Sequence, residues 1–461
     1  MGSRGKLTKK PTNQRGITGI SVRGFKSLLT EKYIEFLPLT ILAGANSSGK
    51  SSIMQPLLMM KQTLDENYDP GDLLIDGPNV KFNSASNFLS MFGDKVETEF
   101  EIRIDFDNQS IAESFKKGDD RPVELTQSKY INDVNEVVLS SEMSEEDLKE
   151  KYPGVKEFYV FFSNSLENMM KENQMGLNDA TINDLIIAFH VLRRRCFLRV
   201  VCEVYREGDG KTVTVQPVPL SGFGNLETVE SYISDIMHVP ATRGNPERAY
   251  KTTAIGPRFP GTMDNYMASI IHHWKITNDP RLNRLSEWLC NLGLTCEIDT
   301  KKVTDNQVEI LVHRLTRSSQ GNKDMVNIVD AGFGVNQILP VLVSLLIAKS
   351  EQLVYIEQPE VHLHPKAQYE LANIIIEAVN SGIKVVIETH SILLLTGIQT
   401  LIAEGDISEK CVKLHWFSRK KNGETRVTSA NFDKEGAFGD CPIDFADITL
   451  EADTRYLNAS E

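Results

Sequence analysis

Short apolar runs near both ends of the chain predict strands packed beside helices. Leu37–Ala43 is a continuous apolar run, which predicts a buried strand, and Ser51–Gln62 has the spacing of a helix. Residues 97–107 alternate polar and apolar side chains, which is typical of a half-buried antiparallel strand. Residues 350–420 alternate short apolar strands with helices. This order predicts a parallel α/β sheet in the last part of the chain.

The middle of the chain has a different pattern. From about 108 to 192 it is rich in Glu, Lys, Met and Asn at helical spacing, which predicts a mostly helical insertion. Phe197–Arg206 and Thr212–Val218 predict a hairpin with its turn at Gly208–Lys211. Ile338–Ala348 is apolar almost throughout and predicts a buried helix.

Composition places the chain among large globular proteins. Its 461 residues are 41% hydrophobic, enough for a large core in two or three lobes. The net charge of −13 excludes a surface that is basic throughout but permits a local basic groove for nucleic acid. No apolar stretch is long enough to span a bilayer, and no signal peptide is evident. We therefore expect a cytoplasmic location and no membrane partner.

Six cysteines are scattered along the chain without a C-x-x-C pair or a zinc-like quartet. In a chain of this size, that distribution predicts reduced thiols within a core.

The segment from Gly44 to Ser51, with the sequence Gly-Ala-Asn-Ser-Ser-Gly-Lys-Ser, has the form of a phosphate-binding loop. It follows a predicted strand and precedes a predicted helix, which is the context that such a loop requires. Glycines at both ends let successive N–H groups point toward an anion. Lys50 is expected to reach the β- and γ-phosphates of a nucleotide, and the Ser51 hydroxyl to bind Mg²⁺. The candidate nucleotide-binding residues of the loop are Gly44, Ala45, Asn46, Ser47, Ser48, Gly49, Lys50, Ser51 and Ser52.

Three further clusters lie far along the chain. Leu353–Ile356 is a hydrophobic run that ends in Glu357, and a carboxylate in this position suits a magnesium–nucleotide site. Another buried run ends at His390, which is expected to face the crevice at the carboxyl edge of the sheet. Between them and the loop, Gly332-Phe333-Gly334-Val335-Asn336-Gln337 leads into a helix and forms a second potential anion site.

Together these clusters resemble the ABC-type ATPase heads of the SMC-like and OLD-like branch. The resemblance begins at Gly24-Phe25-Lys26-Ser27 and includes the phosphate loop and a degenerate signature at Gly332–Gln337. It continues through Ile356–Pro365 and Glu388–Ser391, and leaves roughly 105–195 unmatched. It implies an α/β fold with a RecA-like parallel core, an antiparallel β lobe, a helical insertion and a helical lid.

The resemblance also implies roles for the site residues. Two ATP molecules would lie between two head-to-head subunits, with Lys50 and Ser51 holding phosphate and Mg²⁺, and Glu357 supporting the metal. Gly332, Gly334 and Asn336 would close on the γ-phosphate of the partner's ATP. His390 would be the switch histidine. His362 and His364 would lie in a loop that crosses the dimer interface, in preference to a metal site.

Position 358 departs from the family pattern. These ATPases usually place a catalytic glutamate directly after the metal-supporting acid, and here that residue is Gln358. Glutamine cannot accept the proton of an attacking water, although it can orient one. Three explanations remain: Glu360 substitutes, hydrolysis is slow and serves as a timer, or Gln358 is a substitution that traps the nucleotide. We favour a native, slow ATPase that converts ATP and water to ADP and phosphate.

The resemblance divides the chain into six predicted segments. These are a disordered basic tail (1–16), an N-terminal ATPase lobe with the phosphate loop (17–107), the mostly helical insertion (108–192), an antiparallel β part (193–261), a helical lid with the signature (262–345) and a C-terminal ATPase lobe with the metal-supporting acid and switch histidine (346–461).

The leading hypothesis is a nucleotide-gated sensor or scaffold that controls a partner effector, a nuclease or toxin encoded nearby. The nearest look-alikes are ATPase components of bacterial anti-phage defence systems of the Septu and PARIS type. OLD-type proteins carry a nuclease domain after the ATPase, but only about 70 residues follow His390. The expectation is therefore that this chain does not cut nucleic acid by itself.

The alternative is a DNA-binding clamp of the SMC-like type that acts in repair or maintenance. Arg193-Arg194-Arg195, Arg243 and Arg248 would then contact phosphates. Steep salt dependence of duplex binding would favour this alternative.

Overall fold

The structure of the chain is a computed structural model. It describes residues 15–92, 95–133, 135–171, 185–206, 212–218, 226–314, 324–439 and 458. Most of the predicted tail 1–16 and the predicted turn at Gly208–Lys211 lie outside these residues. Strands and helices are numbered along the chain.

The central sheet is mainly parallel. Its six strands are β3 (Leu39–Gly44), β13 (Met237–Val239), β18 (Leu353–Glu357), β19 (Lys384–Thr389), β20 (Val412–Arg419) and β21 (Thr425–Asn431). Their order across the sheet is β13-β18-β19-β3-β20-β21, and only β21 runs antiparallel to its neighbour. Glu357 pairs in register with Glu388, and Thr389 pairs with Ala43. The carboxyl ends of β18, β19 and β3 therefore meet at one edge.

An antiparallel sheet forms a second layer. Its strands are β1 (Ile17–Arg23), β2 (Lys32–Glu35), β6 (Glu99–Phe106), β7 (Gln109–Lys117), β8 (Val123–Ile131) and β9 (Glu136–Ser140). They lie in the order β2-β1-β6-β7-β8-β9.

Three smaller sheets complete the described strands. One contains β10 (Leu185–Arg194), β11 (Phe197–Arg206) and β12 (Thr212–Pro217), in that order. Another contains β14 (Tyr250–Lys251), β15 (Ile298–Thr304), β16 (Gln307–His313) and β17 (Met325–Asn327), and β4 (Met91–Phe92) pairs with β5 (Lys95–Val96).

Nine α-helices occur in the described part of the chain. They are α1 (Lys50–Asp65), α2 (Glu145–Lys151), α3 (Pro153–Lys171), α4 (Leu226–Ser234), α5 (Met267–Thr277), α6 (Arg281–Asn291), α7 (Phe333–Ile347), α8 (Pro365–Asn380) and α9 (Ile392–Glu404). None of the helices in the described part of the chain is long and apolar enough to cross a membrane.

Two hydrophobic cores lie on opposite faces of the central sheet. Successive strand residues point to opposite faces, so Ile41 joins the core beneath α7, α8 and α9, whereas Leu42 joins the core formed with α1 and the antiparallel sheet. Tyr355 and Val386 also point into the second core. The sheet is thereby held rigidly between two packed layers, and this fixes the positions of its strand ends.

The predicted fold class is confirmed by this arrangement of a parallel core and an antiparallel lobe. Three predicted elements are present in the structure. β3 corresponds to the buried strand predicted at 37–43, and α1 to the helix predicted after it. α7 contains the buried helix predicted at 338–348 up to Ile347.

The prediction of a mostly helical insertion at 108–192 was wrong at both ends, since its last residues, from Leu185 onward, belong to β10. Residues 109–140 form β7, β8 and β9, and helices occupy only 145–151 and 153–171 among the described residues of this segment. β8 alternates buried and exposed positions, and its exposed face carries the polar residues that suggested a helix. Pairing with β7 decided the conformation, because strand preference depends strongly on tertiary context.

The prediction of reduced cysteines was wrong at one pair. Cys290 and Cys296 form a disulfide, with their Cα atoms 4.3 Å apart. α6 ends just after Cys290, and Gly293 has a positive φ of 72°, so the chain reverses and returns Cys296 to the helix end. Cys196, Cys202 and Cys411 are free thiols, and Cys441 lies outside the described residues.

Candidate nucleotide site

The predicted phosphate loop connects β3 to α1. Every residue of β3 is buried, and α1 begins at Lys50. Gly44 and Gly49 have positive φ angles of 144° and 106°. A Cβ atom at Gly44 would lie 2.1 Å from the Phe417 carbonyl oxygen, and one at Gly49 would lie 2.4 Å from Thr425 Oγ1. Both glycines are therefore required by backbone conformation and by close packing against β20 and β21.

A cavity of about 370 Å³ lies over this loop. It brings together residues that are more than 300 positions apart in the chain. The lining residues are Lys26, Asn46, Ser47, Ser48, Gly49, Lys50, Ser51, Ser52, Gln55, Gln358, Glu388, His390 and Arg419. The structure thus assembles most of the predicted loop with the predicted Gln358 and His390.

Lys50 supplies a buried positive charge to the loop. Its side chain is only 4% exposed, and Nζ donates to the carbonyl oxygens of Gly44 at 2.9 Å and Ala45 at 2.8 Å. Burial lowers the pKa of Lys50, and the nearby carboxylates of Glu388 and Glu360 oppose that shift. A phosphate group would supply the counter-charge that this position favours.

Ser51 donates its hydroxyl proton to a carboxylate that sequence reasoning did not assign. Its Oγ lies 2.8 Å from Oε2 of Glu388, and the other oxygen of Glu388 accepts from the Tyr355 hydroxyl. Burial raises the pKa of Glu388 to about 7, and repulsion from Glu357 adds to the shift. The Glu388 side chain is thus fixed beside the first turn of α1.

Glu357, the predicted metal-supporting acid, has other partners. Its Oε1 lies 3.3 Å from His238 Nε2, and its Oε2 accepts from the backbone N–H of Ala241 at 3.0 Å. Burial acts to raise the pKa of Glu357, but the hydrogen bonds from His238 and Ala241 outweigh it, so the pKa lies below its ordinary value. Glu357 does not line the cavity over the loop.

Gln358 lies at the cavity with its backbone fixed from two sides. It has a positive φ of 44°, and its N–H donates to the Glu388 carbonyl at 2.8 Å. The Arg243 guanidinium donates to the carbonyls of Glu357 at 2.6 Å and Gln358 at 3.3 Å. It also donates to Gln337 of α7 at 3.1 Å, so Arg243 connects the signature helix to this strand end.

Glu360 and His390 are directly connected. Glu360 Oε1 accepts from Thr389 Oγ1 and from the His390 backbone N–H, both at 2.8 Å. Glu360 is 7% exposed and does not line the cavity, whereas His390 does. Burial raises the pKa of Glu360 and lowers that of His390. In this conformation Glu360 Oε1 holds the histidine segment in place, and Glu360 does not line the cavity over the loop.

The predicted signature residues are divided between surface and interior. Gly332 is exposed at the start of α7, next to Phe333, whose ring centroid lies 5.0 Å from that of His362. Asn336 is 3% exposed: its Oδ1 accepts from the Tyr250 hydroxyl at 2.7 Å and its Nδ2 donates to the Gly244 carbonyl at 2.9 Å. The Asn336 amide is therefore engaged within its own subunit.

The predicted interface histidines show no metal-binding arrangement. His362 packs against Phe333, and His364 Nδ1 accepts from the Lys366 N–H at the start of α8. Across the described ranges, no group of three or more His, Cys, Asp or Glu side chains is placed to hold a metal ion by itself.

Four of the five arginines proposed as DNA contacts make intramolecular contacts, whereas Arg194 is exposed. Arg193 pairs with Asp69 at 2.8 Å, and Arg248 pairs with Asp330 at 3.0 Å. Arg195 donates to backbone carbonyls at the end of α1, including that of Glu66 at 2.5 Å. These contacts do not favour the DNA-clamp alternative.

Sequence reasoning missed several residues of the site. Lys26 lies in the Gly-Phe-Lys-Ser segment, and Glu388 lies two residues before His390, so both were within quoted motifs. Arg419 and Thr425 come from the hairpin of β20 and β21, which carries no motif. Only the pairing of β20 with β3 places them against the loop.

Two family models match the chain. Residues 16–195 match the family described as "AAA ATPase domain", and residues 278–396 match "AAA domain, putative AbiEii toxin, Type IV TA system". Each of these two matches covers less than half of the chain. The first contains the phosphate loop, and the second contains Gly332, Glu357 and His390. No curated protein matches the chain.

Solved SMC heads align with most of this chain. The SMC head domain from Thermotoga maritima is 11% identical, covering 90% of this chain and 98% of that one, with a TM-score of 0.37. An SMC head bound to the C-terminal winged-helix domain of ScpA is 12% identical, covering 91% and 98%, with a TM-score of 0.43.

Proposed function

We propose that this protein is an ABC-type ATPase that binds Mg²⁺-ATP and hydrolyses it slowly. The observation that supports this most directly is the cavity in which Lys50 and Ser51 meet Gln358 and His390. A glycine-bounded loop at a helix N-terminus favours phosphate, and the buried lysine adds positive charge.

The oxygen donors fit magnesium. Mg²⁺ prefers hydroxyl, carboxylate and phosphate oxygens, and it usually relies on the nucleotide for part of its coordination. The Ser51 hydroxyl lies 2.8 Å from a carboxylate oxygen at the foot of the loop. When bound, the ion would neutralise phosphate charge, while Lys50 orients the phosphates and Gln358 orients water.

Slow turnover follows from the groups at the cavity. Gln358 orients water without accepting its proton. Glu360 already accepts two hydrogen bonds away from the cavity. Such a site would keep ATP bound for a long time before hydrolysis, which suits a timer better than rapid turnover.

The biological role we propose is that of a nucleotide-gated sensor or scaffold controlling a partner effector, a nuclease or toxin, in anti-phage defence. The description of the family that matches 278–396 refers to the AbiEii toxin of a type IV toxin–antitoxin system, which supports a role in defence without naming a partner. ATP would favour a closed homodimer or higher homo-oligomer, and a trigger or hydrolysis would release or activate the effector.

The test is the molar mass of the purified protein by light scattering, with and without Mg²⁺-ATP, measured beside phosphate release. We expect an ATP-dependent rise in mass and slow release. Lys50→Ala should remove both, because it removes the buried charge that faces phosphate. If neither the molar mass nor the amount of released phosphate changed when Mg²⁺-ATP was added, the proposed gated ATPase would be contradicted.

A further inference from the structure

A turn closed by a disulfide connects α6 to β15. Cys290 lies in the last turn of α6, and Cys296 lies just before β15. Between them the chain folds back on the helix: the N–H of Gly293 donates to the Cys290 carbonyl at 2.9 Å, and that of Leu294 donates to the Leu289 carbonyl at 3.1 Å. The S–S bond therefore closes a turn that is already folded onto the end of α6.

One side chain of this turn lies beside the start of α7. A Cβ atom on Gly334 would lie 3.5 Å from Leu294 Cδ2 and 3.3 Å from the His362 carbonyl oxygen. Leu294 thus stands where the predicted signature comes close to the chain at His362. Phe333, the neighbour of Gly334, is 40% exposed, and its ring packs against that of His362. A movement of Leu294 would therefore reach the surface that Phe333 and His362 form.

The two sides of the turn are anchored in the protein, and its middle is less so. Leu292 is 5% exposed and belongs to the core beneath α7, α8 and α9. Thr295 is fully buried, and its Oγ1 donates to the His313 carbonyl at 3.1 Å. Glycine has more backbone freedom than any other residue, so Gly293 and the half-buried Leu294 beside it are where loss of the S–S bond would be felt most.

The cysteine pair is placed where thiol exchange is feasible. Both of its residues are half-buried, and the adjacent Asn291 and Glu297 are exposed, whereas Cys196 and Cys202 are buried. Access matters because exchange requires a thiolate to reach one of the two sulfurs. The sequence predicts a cytoplasmic location, and disulfides in that compartment are usually transient or redox-sensing.

We propose that Cys290 and Cys296 form a thiol–disulfide exchange site whose oxidised state holds the start of α7 in the conformation that pairs with ATP bound. The effect on pairing rests on the proposed function, whereas the exchange itself does not. The reductant is a dithiol: its thiolate attacks one sulfur, the Cys290–Cys296 bond breaks, and its second thiol resolves the mixed disulfide. The cysteine pair gains two electrons and two protons, and the dithiol becomes a disulfide. Exchange with a disulfide compound restores the bond.

Reduction acts on α7 through Leu294. With two thiols in place of the bond, hydrogen bonds and core contacts alone hold the turn, and Leu294 is free to move away from Gly334. The surface at Phe333 and His362 then loses its support, so pairing weakens. The phosphate loop packs against β20 and β21, so the affinity for nucleotide should change little.

The test compares oxidised protein with protein reduced by dithiothreitol. Alkylation of free thiols, followed by peptide mass spectrometry, establishes the state of each cysteine. Light scattering then gives the protein concentration at which Mg²⁺-ATP produces half of the rise in molar mass. We expect reduction to raise this concentration about fivefold or more, the lower end of ordinary coupling between sites. Binding of a fluorescent ATP analogue should be the same in both states.

Three variants make the result specific. The double variant Cys290→Ser/Cys296→Ser should behave like reduced wild type, with or without dithiothreitol. Cys411→Ser removes a half-buried thiol elsewhere and should keep the wild-type response. Leu294→Ala keeps the disulfide and removes the side chain beside Gly334, so it should pair weakly in both states. It serves as the test variant if the double variant does not fold.

Hydrogen exchange without nucleotide separates this inference from the proposed function. Reduction should speed amide exchange in the segment 328–337 even if the protein binds no ATP, and unchanged exchange there would overturn the inference. It would also be overturned by equal pairing of the two states, by a response to dithiothreitol that persists in the double variant, or by alkylation of both cysteines after oxidation with diamide. Failure of the wild-type protein to bind the ATP analogue would instead overturn the proposed ATPase.

Discussion

Gln358 occupies a cavity position at which a carboxylate would act as a base. Its backbone is fixed by the Glu388 carbonyl and by Arg243, so changing its side chain leaves the strand end in place. We predict that Gln358→Glu raises ATP turnover by about fivefold or more, because a positioned base typically contributes about 10²–10⁴-fold. Phosphate release at saturating ATP measures the effect.

A same-length apolar variant provides the control for this prediction. Gln358→Met can neither orient water nor accept a proton, and it should fall below wild-type turnover. If Gln358→Glu bound ATP normally and turned over at the wild-type rate, the glutamine would not be what limits hydrolysis.

We predict that the buried side chain of His415 makes the free energy of unfolding depend on pH. Burial lowers the pKa of His415 to about 4. Its Nε2 lies 2.9 Å from the Glu35 carbonyl oxygen, which only accepts, so Nε2 carries the proton and Nδ1 accepts from the Ser429 hydroxyl at 2.8 Å. The pKa is lower in the folded state than in the unfolded state. The stabilising contribution is therefore complete above the unfolded value near 6.5 and is lost as pH falls toward 4.

The variant that tests this effect is His415→Gln, which keeps a donor and cannot be protonated. Between pH 7 and pH 5, wild type should lose about 2 kcal/mol of unfolding free energy through this group, and the variant should not. Urea unfolding at both pH values measures the difference. Exposed His273→Gln should retain the wild-type dependence, and an unchanged slope in His415→Gln would contradict the assignment.

The hairpin of β20 and β21 acts on the phosphate loop as one element. Arg419 Nε donates to the Ser47 carbonyl at 2.7 Å, and Thr425 Oγ1 donates to the Ser48 carbonyl at 2.8 Å. Thr425 is fully buried, and its oxygen also lies 2.8 Å from Ser27 Oγ. Two consecutive carbonyls of the loop are thus fixed from outside, which holds the loop in one conformation.

We predict that Thr425→Val weakens both stability and nucleotide binding. The substitution keeps the shape, but it leaves the Ser48 carbonyl without this donor and the Ser27 hydroxyl without this acceptor, at a cost of about 1–3 kcal/mol. Thermal unfolding and a fluorescent-ATP titration measure the two effects. Thr428→Val, on the exposed face of the same strand, should change neither, and equal behaviour of the two variants would show that the hairpin does not position the loop.

At the scale of the whole molecule, the start of α7 presents an apolar surface beside a glycine. Phe333 is 40% exposed and packs against His362, while Asn336 of the same helix faces inward. If ATP brings two copies together head to head, this surface lies where the signature meets the partner. We predict that Phe333→Ser abolishes the ATP-dependent rise in molar mass and leaves fluorescent-ATP binding unchanged.

Ile276→Ser is the control for the surface, since Ile276 is 63% exposed on α5. Light scattering should show a normal ATP response for this variant. A Phe333→Ser protein that still increased in mass with ATP would show that pairing uses another surface.

The local features of the site were predictable because they depend on neighbours in the chain. The loop glycines, Lys50 and Ser51 follow from a strand, a turn and a helix that are contiguous in sequence. The conformation of 109–140 was not predictable in this way, because those residues form strands only by pairing with β6 and with each other.

The sequence by itself determined that the chain has a phosphate loop, a mainly parallel sheet and an acid at the end of β18. Tertiary structure alone decided which acid meets Ser51. Glu357 and Glu388 both follow apolar runs, and nothing local distinguishes them. The order of strands puts β19 next to β3, so Glu388 reaches Ser51, whereas Glu357 contacts His238 of its other neighbour, β13. Strand order is a long-range property, because it is set by the packing of elements that lie hundreds of residues apart.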